Sequence, residues 1–217
     1  MNVESLCEKI IIAINTNNFG MNFEFLKDLL LWLVYMDDQL LLFVNSLHNP
    51  FFDTVMWCIS SRWLWVPFYL MLVYFLFRRF SWKYGVVCLL AIGLLIFAAD
   101  QTCASLIRPE ICRLRPSNIG NPLSPFVHIV NGYRGGSYGF PSCHAANVFA
   151  LAVFLSLVFH DRRFTFSLFA WAILVSYSRM YLGVHYFGDL FCGAIVGSMY
   201  AVLIYYVLKK GCERINV

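Results

Sequence analysis

The sequence predicts an all-α protein, a polytopic transmembrane helix bundle with five or six spanning helices. Three observations predict it. Of 217 residues, 60% are hydrophobic and 13% charged, where soluble domains run nearer a quarter charged. The mean hydropathy is +0.68. Several apolar runs are long enough to cross a bilayer, which takes about 20 residues as helix. The net charge of +4 comes from short cationic clusters at the ends of these runs, so it does not point to a nucleic-acid partner.

Taken in chain order, residues 1–50 read as an N-terminal amphipathic or interfacial segment. Glu4, Glu8 and Lys9 interrupt its start, and no small-residue cleavage site follows a clean apolar core, so it does not read as a signal peptide. Residues 24–46 are apolar enough for a sixth span, but Asp37 and Asp38 fall in the middle. Charge at bilayer depth is costly, which favours an interfacial helix there. Residues 51–217 read as one membrane-embedded domain, with no repeat, low-complexity tract or flexible linker. Its expected spans are 63–77, 84–107, 145–159, 164–182 and 186–208. Trp63, Trp65 and Trp82 near span ends read as aromatic-belt residues.

The loops set the orientation. RRFSWK (Arg78 to Lys83), HDRR (ending at Arg162 and Arg163) and the tail with Lys209, Lys210 and Arg214 share one side of five alternating spans. Short cationic loops stay in the cytoplasm. Residues 108–143 and 178–185 then lie on the outer side, which would be periplasmic in a two-membrane bacterium. Yet Arg108, Arg113, Arg115, Arg134 and Arg179 are all on that side, against the bias. An anionic ligand is the simple reason to put them there.

The eight cysteines show no CxxC pair and no metal-finger spacing. Several sit in apolar runs, where cysteine behaves as a small hydrophobe. Cys112 and Cys143 share one membrane side and are the pair to check for a disulfide.

Three outer segments carry chemistry. RPEICRLRP holds Arg108, six residues, then Arg115 and Pro116. A loop rich in turn residues, NGYRGGSYGFP, leads into PSCH, residues 141–144, where proline and serine suit a helix start. Free N–H groups at such a start attract a phosphate-like anion. SRMYLGVHYFGD then places His185 and Asp189 four apart, on one face of a helix. Three arginines suit phosphoryl oxygens. A carboxylate can fix a histidine tautomer, and a second histidine can carry a proton. Singly, each residue fits a headgroup anchor or an interfacial side chain. Their shared side and fixed order favour a phosphate site.

These segments resemble the type 2 phosphatidic acid phosphatase family of integral membrane lipid phosphatases, whose motifs are KxxxxxxRP, PSGH and SRxxxxxHxxxD. The resemblance spans about residues 50–208, with its specific part in 108–189. It implies that His185 is a nucleophile forming a phosphohistidine, that Asp189 orients it and that His144 is the general acid. It further implies that Arg108, Arg115, Ser142 and Arg179 bind phosphate, together with the backbone N–H of Cys143. The chain departs from the pattern twice. Arg108 stands for lysine, keeping the charge but changing its geometry. Cys143 stands for glycine, adding bulk beside the phosphate. Asp100, eight residues before Arg108, reads as support for a motif arginine or a neighbouring helix. Arg113 and Arg134 could meet a second anionic group or lipid headgroups.

The resemblance implies hydrolysis of a lipid phosphate at the periplasmic face of the inner membrane. Lipid A and its 4′-phosphate are the first expectation, with undecaprenyl diphosphate or phosphatidylglycerol phosphate as alternatives. A non-catalytic lipid-phosphate binder or transporter is the alternative of another class. No metal or other cofactor is implied, because arginines supply the charge. The bilayer and the lipid substrate are the expected partners, and the sequence sets no oligomeric state.

Overall fold

The computed structural model describes residues 23–215, so the expectations for Glu4, Cys7, Glu8 and Lys9 lie outside the described residues. Eight α-helices follow one another: α1 (Phe23–Ser46), α2 (Pro50–Ser60), α3 (Val66–Arg79), α4 (Trp82–Gln101), α5 (Arg108–Ile111), α6 (Cys143–Phe159), α7 (Arg162–Tyr181) and α8 (Phe187–Ile215). Among the described residues there is no strand beyond an isolated bridge between Leu114 and Tyr138. Every span expected from the sequence is helical. Helix α2 was not anticipated; it joins α3 through a single 3-10 turn, Arg62–Trp65, with a 64° bend.

Local chemistry sets the helix ends. Asn49, Ser81, Ser142 and Asp161 each accept a hydrogen bond from an N–H in the first turn of the helix that follows, which satisfies donors the helix cannot pair itself. Cys112 and His160 adopt left-handed conformations that close α5 and α6. Between α4 and α5, residues Thr102–Ile107 widen into a π-helical turn directly before Arg108. Such turns re-aim the side chains that follow them.

Helix α6 is the centre of the bundle. Ala150, Ala152, Phe154 and Leu155 are buried among Leu95 of α4, Leu168 and Ala172 of α7, and Ala201 of α8. Its approach to α8 depends on absent side chains. A Cβ at Gly193 would overlap the Ser142 carbonyl oxygen, and one at Gly197 would overlap that of Ala146. Small residues four apart let two membrane helices meet backbone to backbone. The outward faces are apolar: Leu90, Leu94 and Phe97 on α4, and Leu203 and Val207 on α8, are each more than half exposed. That surface suits lipid, not water.

By length and apolar content α1, α4 with its extension to Ile111, and α8 can each cross a membrane, as can α2 and α3 taken as one bent span. Helix α6 is apolar but has only 17 residues, about 25 Å at 1.5 Å per residue. Helix α7 carries Arg162 and Arg163 at one end and Arg179 at the other. One end of the bundle gathers the cationic turns: Phe80 packs on Phe159, and Phe159 on Phe164. The other end holds α5, the loop to Ser142 and the α7–α8 link. One aromatic expectation needs correcting. Trp63 and Trp82 are exposed, but Trp65 donates from Nε1 to Ile59 O and packs on Phe68 and Trp171. It is half-buried against the core because its turn points it back toward the bundle.

Candidate active site

The tight link from α7 to α8 builds the centre of the site. Gly183, at φ +68°, turns the chain, and the Val184 N–H donates back to Arg179 O. This places His185 one residue before the N-cap of α8. Its ring is 1% exposed. His185 Nδ1 lies 3.3 Å from Asp189 Oδ2, so the expected pair is formed, but by the link and the first turn of α8 and not along one helical face, since the helix starts only at Phe187. Asp189 Oδ2 also accepts the Tyr186 N–H at 3.1 Å. One carboxylate therefore closes the start of α8, in the manner of a capping box, and holds the histidine. Its other oxygen, Oδ1, accepts from Arg113 Nη1 at 3.1 Å.

The expected arginines converge on this ring. Arg115, nearly buried, donates from Nε to Tyr138 O and from Nη1 to Val184 O, and Nη1 lies 3.0 Å from His185 Nε2. Arg108 Nη2 donates to Pro141 O and Cys143 Sγ, both at 2.9 Å. Arg179 donates from Nη1 to Ser60 Oγ and from Nη2 to Tyr133 OH. The Nε of Arg108 and the Nε of Arg179 are buried without a hydrogen-bond partner. Unpaired buried donors are rare and costly; here two belong to arginines whose charges both act on His185.

Burial and the positive charges of Arg115, Arg179 and Arg108 hold the His185 pKa well below the usual 6.5. Burial and the charges of Arg179 and Arg108 bring Arg115 down to about 10. At neutral pH the imidazole is therefore neutral and the guanidinium still charged. A neutral imidazole with Nδ1–H on a carboxylate has its lone pair at Nε2, the atom that faces Arg115.

PSCH does open a helix. Ser142 is fully buried as its N-cap; its Oγ accepts from the Ala145 N–H and its own N–H donates to Asp189 O. Cys143 Sγ sits under Arg108 and packs against Cys103. His144 is exposed on the first turn, within the electrostatic reach of Arg179, His185 and Arg115.

Three expectations for supporting residues now have answers. Asp100 accepts from Asn147 of α6, so it supports a neighbouring helix. Arg113 and Arg134 do not face outward for a second anion. Arg113 is pinned between Asp37 and Asp189, and Arg134 donates to Ser117 O and Ser124 Oγ inside the loop. Cys112 and Cys143 are both free thiols, and Cys112 donates to Pro109 O instead.

Sequence reasoning missed Ser60, Tyr133 and Gly139, and it named Arg113 without its pairing to Asp189. Gly139 passes so close to the centre that a Cβ would lie 2.9 Å from Asp189 Oδ2 and 3.5 Å from His185 Nδ1. Its place in a glycine-rich loop before PSCH was the available signal. Ser60 and Tyr133 gave none, since they meet Arg179 across 119 and 46 positions of chain.

The sequence profile of the PAP2 superfamily matches residues 89–211, which includes every one of these motif residues. The chain belongs to the PAP2 superfamily. It is 46% identical over 193 residues to a lipid A 4'-phosphatase of Bacteroides thetaiotaomicron, covering 89% of this chain and 83% of that one. A lipid A 4'-phosphatase of Porphyromonas gingivalis is 33% identical, covering 84% and 77% of the two chains. The crystal structure of Aquifex aeolicus LpxE superposes with a TM-score of 0.57 at 24% identity, covering 76% of this chain and 92% of that one. Together with the apolar helix faces, these likenesses make this PAP2 chain a multi-pass membrane protein.

Proposed function

We propose that this PAP2 protein is a lipid phosphatase that removes the 4′-phosphate of lipid A through a phosphohistidine on His185. The observation that carries the chemistry is the buried His185–Asp189 pair facing Arg108, Arg115 and Arg179. The 46% identity to a lipid A 4'-phosphatase over most of both chains supports the choice of lipid.

The phosphoryl group enters among the three arginines, where the unpaired Nε donors of Arg108 and Arg179 and the Cys143 N–H at the start of α6 meet its oxygens. Ser142, the cap of α6, completes this cradle. Arg115 moves its donor from His185 Nε2 to a phosphoryl oxygen, which frees the lone pair. Nε2 forms the N–P bond as the P–O bond to the sugar breaks, and Asp189 holds the Nδ1–H side of the developing imidazolium. His144, which desolvation and the charges of Arg179 and Arg115 hold neutral in the free site, takes up a proton as the negative phosphate enters and gives it to the departing oxygen. A water then gives a proton to His144 and attacks phosphorus, the N–P bond breaks, and inorganic phosphate leaves. Arginines hold the charge of the transferring group throughout.

The cationic turns at Arg78, Arg79, Arg162 and Arg163 stay in the cytoplasm, so the site faces the periplasm from the inner membrane. Within the N-terminal segment expected to be interfacial, the described part is α1 from Phe23 onward. Helix α1 meets the site end of α7 and α8 through Asp37, Leu41, Val44 and Asn45. This fits a helix lying across that end.

The test is phosphate release by the detergent-purified full chain from lipid A, undecaprenyl diphosphate and phosphatidylglycerol phosphate, with mass spectrometry of the products. Lipid A lacking its 4′-phosphate is the expected main product. Preference for another lipid overturns the substrate, and no release from any of them overturns the enzyme in favour of a binder or transporter.

A further inference from the structure

Arg113 lies inside the first motif segment, at one of its variable positions. Its guanidinium is held on three sides. Nη1 donates to Asp189 Oδ1 at 3.1 Å, Nη2 donates to Asp37 Oδ2 at 2.8 Å, and Cζ lies 3.8 Å from the centroid of the Tyr186 ring. The side chains are sheltered: Arg113 is 12% exposed, Asp37 11% and Asp189 0%.

The carboxylate of Asp189 is divided between two tasks. Oδ2 takes His185 Nδ1 and the Tyr186 N–H, while Oδ1 takes Arg113. A fully buried carboxylate needs a cation and satisfied lone pairs, or it takes up a proton. Arg113 is the cation hydrogen-bonded to it. Fixing Oδ1 also fixes the rotation of the group, and so the direction in which Oδ2 meets the histidine.

Asp37 stands behind Arg113. Its Oδ2 holds the guanidinium and its Oδ1 accepts the Gly188 N–H at 3.0 Å, in the first turn of α8. A Cβ at Gly188 would come within 2.9 Å of Asp37 Oδ2, so glycine permits that approach. The aspartate that looked out of place in an apolar helix thus has two partners at the catalytic end.

We infer that Arg113 is a positioning residue for the phosphoryl transfer, keeping Asp189 ionised and oriented, and that Asp37 of α1 holds Arg113 in place. The inference rests on the phosphohistidine reading of His185. It makes α1 part of the working site: the chain runs Asp37, Arg113, Asp189, His185, from the N-terminal helix to the nucleophile. Arg113 contrasts with Arg108 and Arg179, which keep buried Nε donors without partners; its fork is occupied by carboxylates and does not bind the phosphate.

The experiment is steady-state kinetics of the full chain in detergent with lipid A. Arg113→Met, Arg113→Lys and Asp37→Asn are each made alone and on an Asp189→Asn background. Wild type and His185→Ala are rapidly quenched with radiolabelled substrate alongside. Arg113→Met is expected to lower kcat at least about tenfold with KM within about threefold, and Arg113→Lys to recover part of kcat. On the Asp189→Asn background the same change has an effect of no more than about twofold, because residues acting as one unit are not additive. A loss confined to KM, equal losses on both backgrounds, or wild-type kcat in Arg113→Met overturns the inference. If Arg113→Met does not accumulate in membranes, Asp37→Asn decides in the same way, since it keeps the shape and an acceptor for Gly188. It should lose about threefold in kcat, and only where Asp189 is present. A wild type that carries no label sinks both readings; label without an Arg113 effect sinks this one alone.

Discussion

His185 shows how burial and charge choose a protonation state. Removing the ring from water disfavours its cationic form, and three arginines disfavour it further. A histidine whose pKa is depressed on folding stays neutral until pH falls below the depressed value. The acid limb of kcat/KM, which reports the free enzyme, should therefore lie below pH 6.5 once the titration of the substrate phosphate is corrected for. A rate profile from neutral to acidic pH checks this; a limb centred at 6.5 or above contradicts it. Most of the residues in this site were legible in the sequence. His185 and Asp189 are four apart at the start of one helix, Ser142 and His144 open another, and Arg108 and Arg115 belong to one short segment, so local spacing was enough. The partners that aim them were not legible. Ser60 and Tyr133 reach Arg179, and Asp37 reaches Arg113, only after the chain has folded back. The motif positions marked Arg108, Arg115, Arg179, the two histidines and Asp189, and left unmarked Ser60 and Tyr133, which hold Arg179, and Asp37, which holds Arg113.

At the scale of elements, the site depends on how closely α8 lies against α6. Ser142 donates its N–H to Asp189 O, so the two helix starts are joined by a backbone hydrogen bond. That bond needs the approach made possible by Gly193 and Gly197, where a Cβ would meet carbonyl oxygens. A backbone atom cannot swing aside as a side-chain tip can. Gly197→Leu should therefore force the helices apart, costing at least about 1–3 kcal/mol as for an overpacked core. It should also lower activity, because the cap of α6 would move away from Asp189. Thermal melting in detergent, with phosphate release on the same samples, checks both. Unchanged melting and full activity would show that the contact does not set the site. By contrast, Gly93 has open space around it, and Gly93→Ala serves as the control. The five helices expected from apolar runs were legible because lipid-facing surface needs continuous apolar sequence. Helix α2 and the π-helical turn were not, since neither length nor hydropathy marks a bend of 64° or one widened turn.

Across the whole molecule, the two ends carry opposite assignments for the same residue type. Arg78, Arg79, Arg162 and Arg163 lie at helix ends beside short turns at one end of the bundle, and cations so placed favour the cytoplasmic side. Arg108, Arg113, Arg115, Arg134 and Arg179 lie at the other, and each of these five has a recorded polar partner inside the fold. Arginines so engaged are not free to anchor on headgroups, so they do not compete with the four at the opposite end in fixing orientation. The loop between α5 and α6 should then face the periplasm. Asn131, exposed at the turn where the backbone takes a positive φ, is a site for a reporter. Asn131→Cys, in a chain whose native cysteines are replaced, should react with an impermeant thiol reagent in intact spheroplasts. A cysteine in place of Arg163 should react only after lysis, since that turn lies at the opposite end. The reverse pattern would place the phosphate site in the cytoplasm. Equal labelling of both positions before lysis would mean a mixed topology, which the charge difference between the two ends argues against. Replacing Arg162 and Arg163 with glutamine should weaken the preference without touching the site, because neither residue reaches it. Retention of activity with altered labelling would separate what orients the molecule from what performs the chemistry.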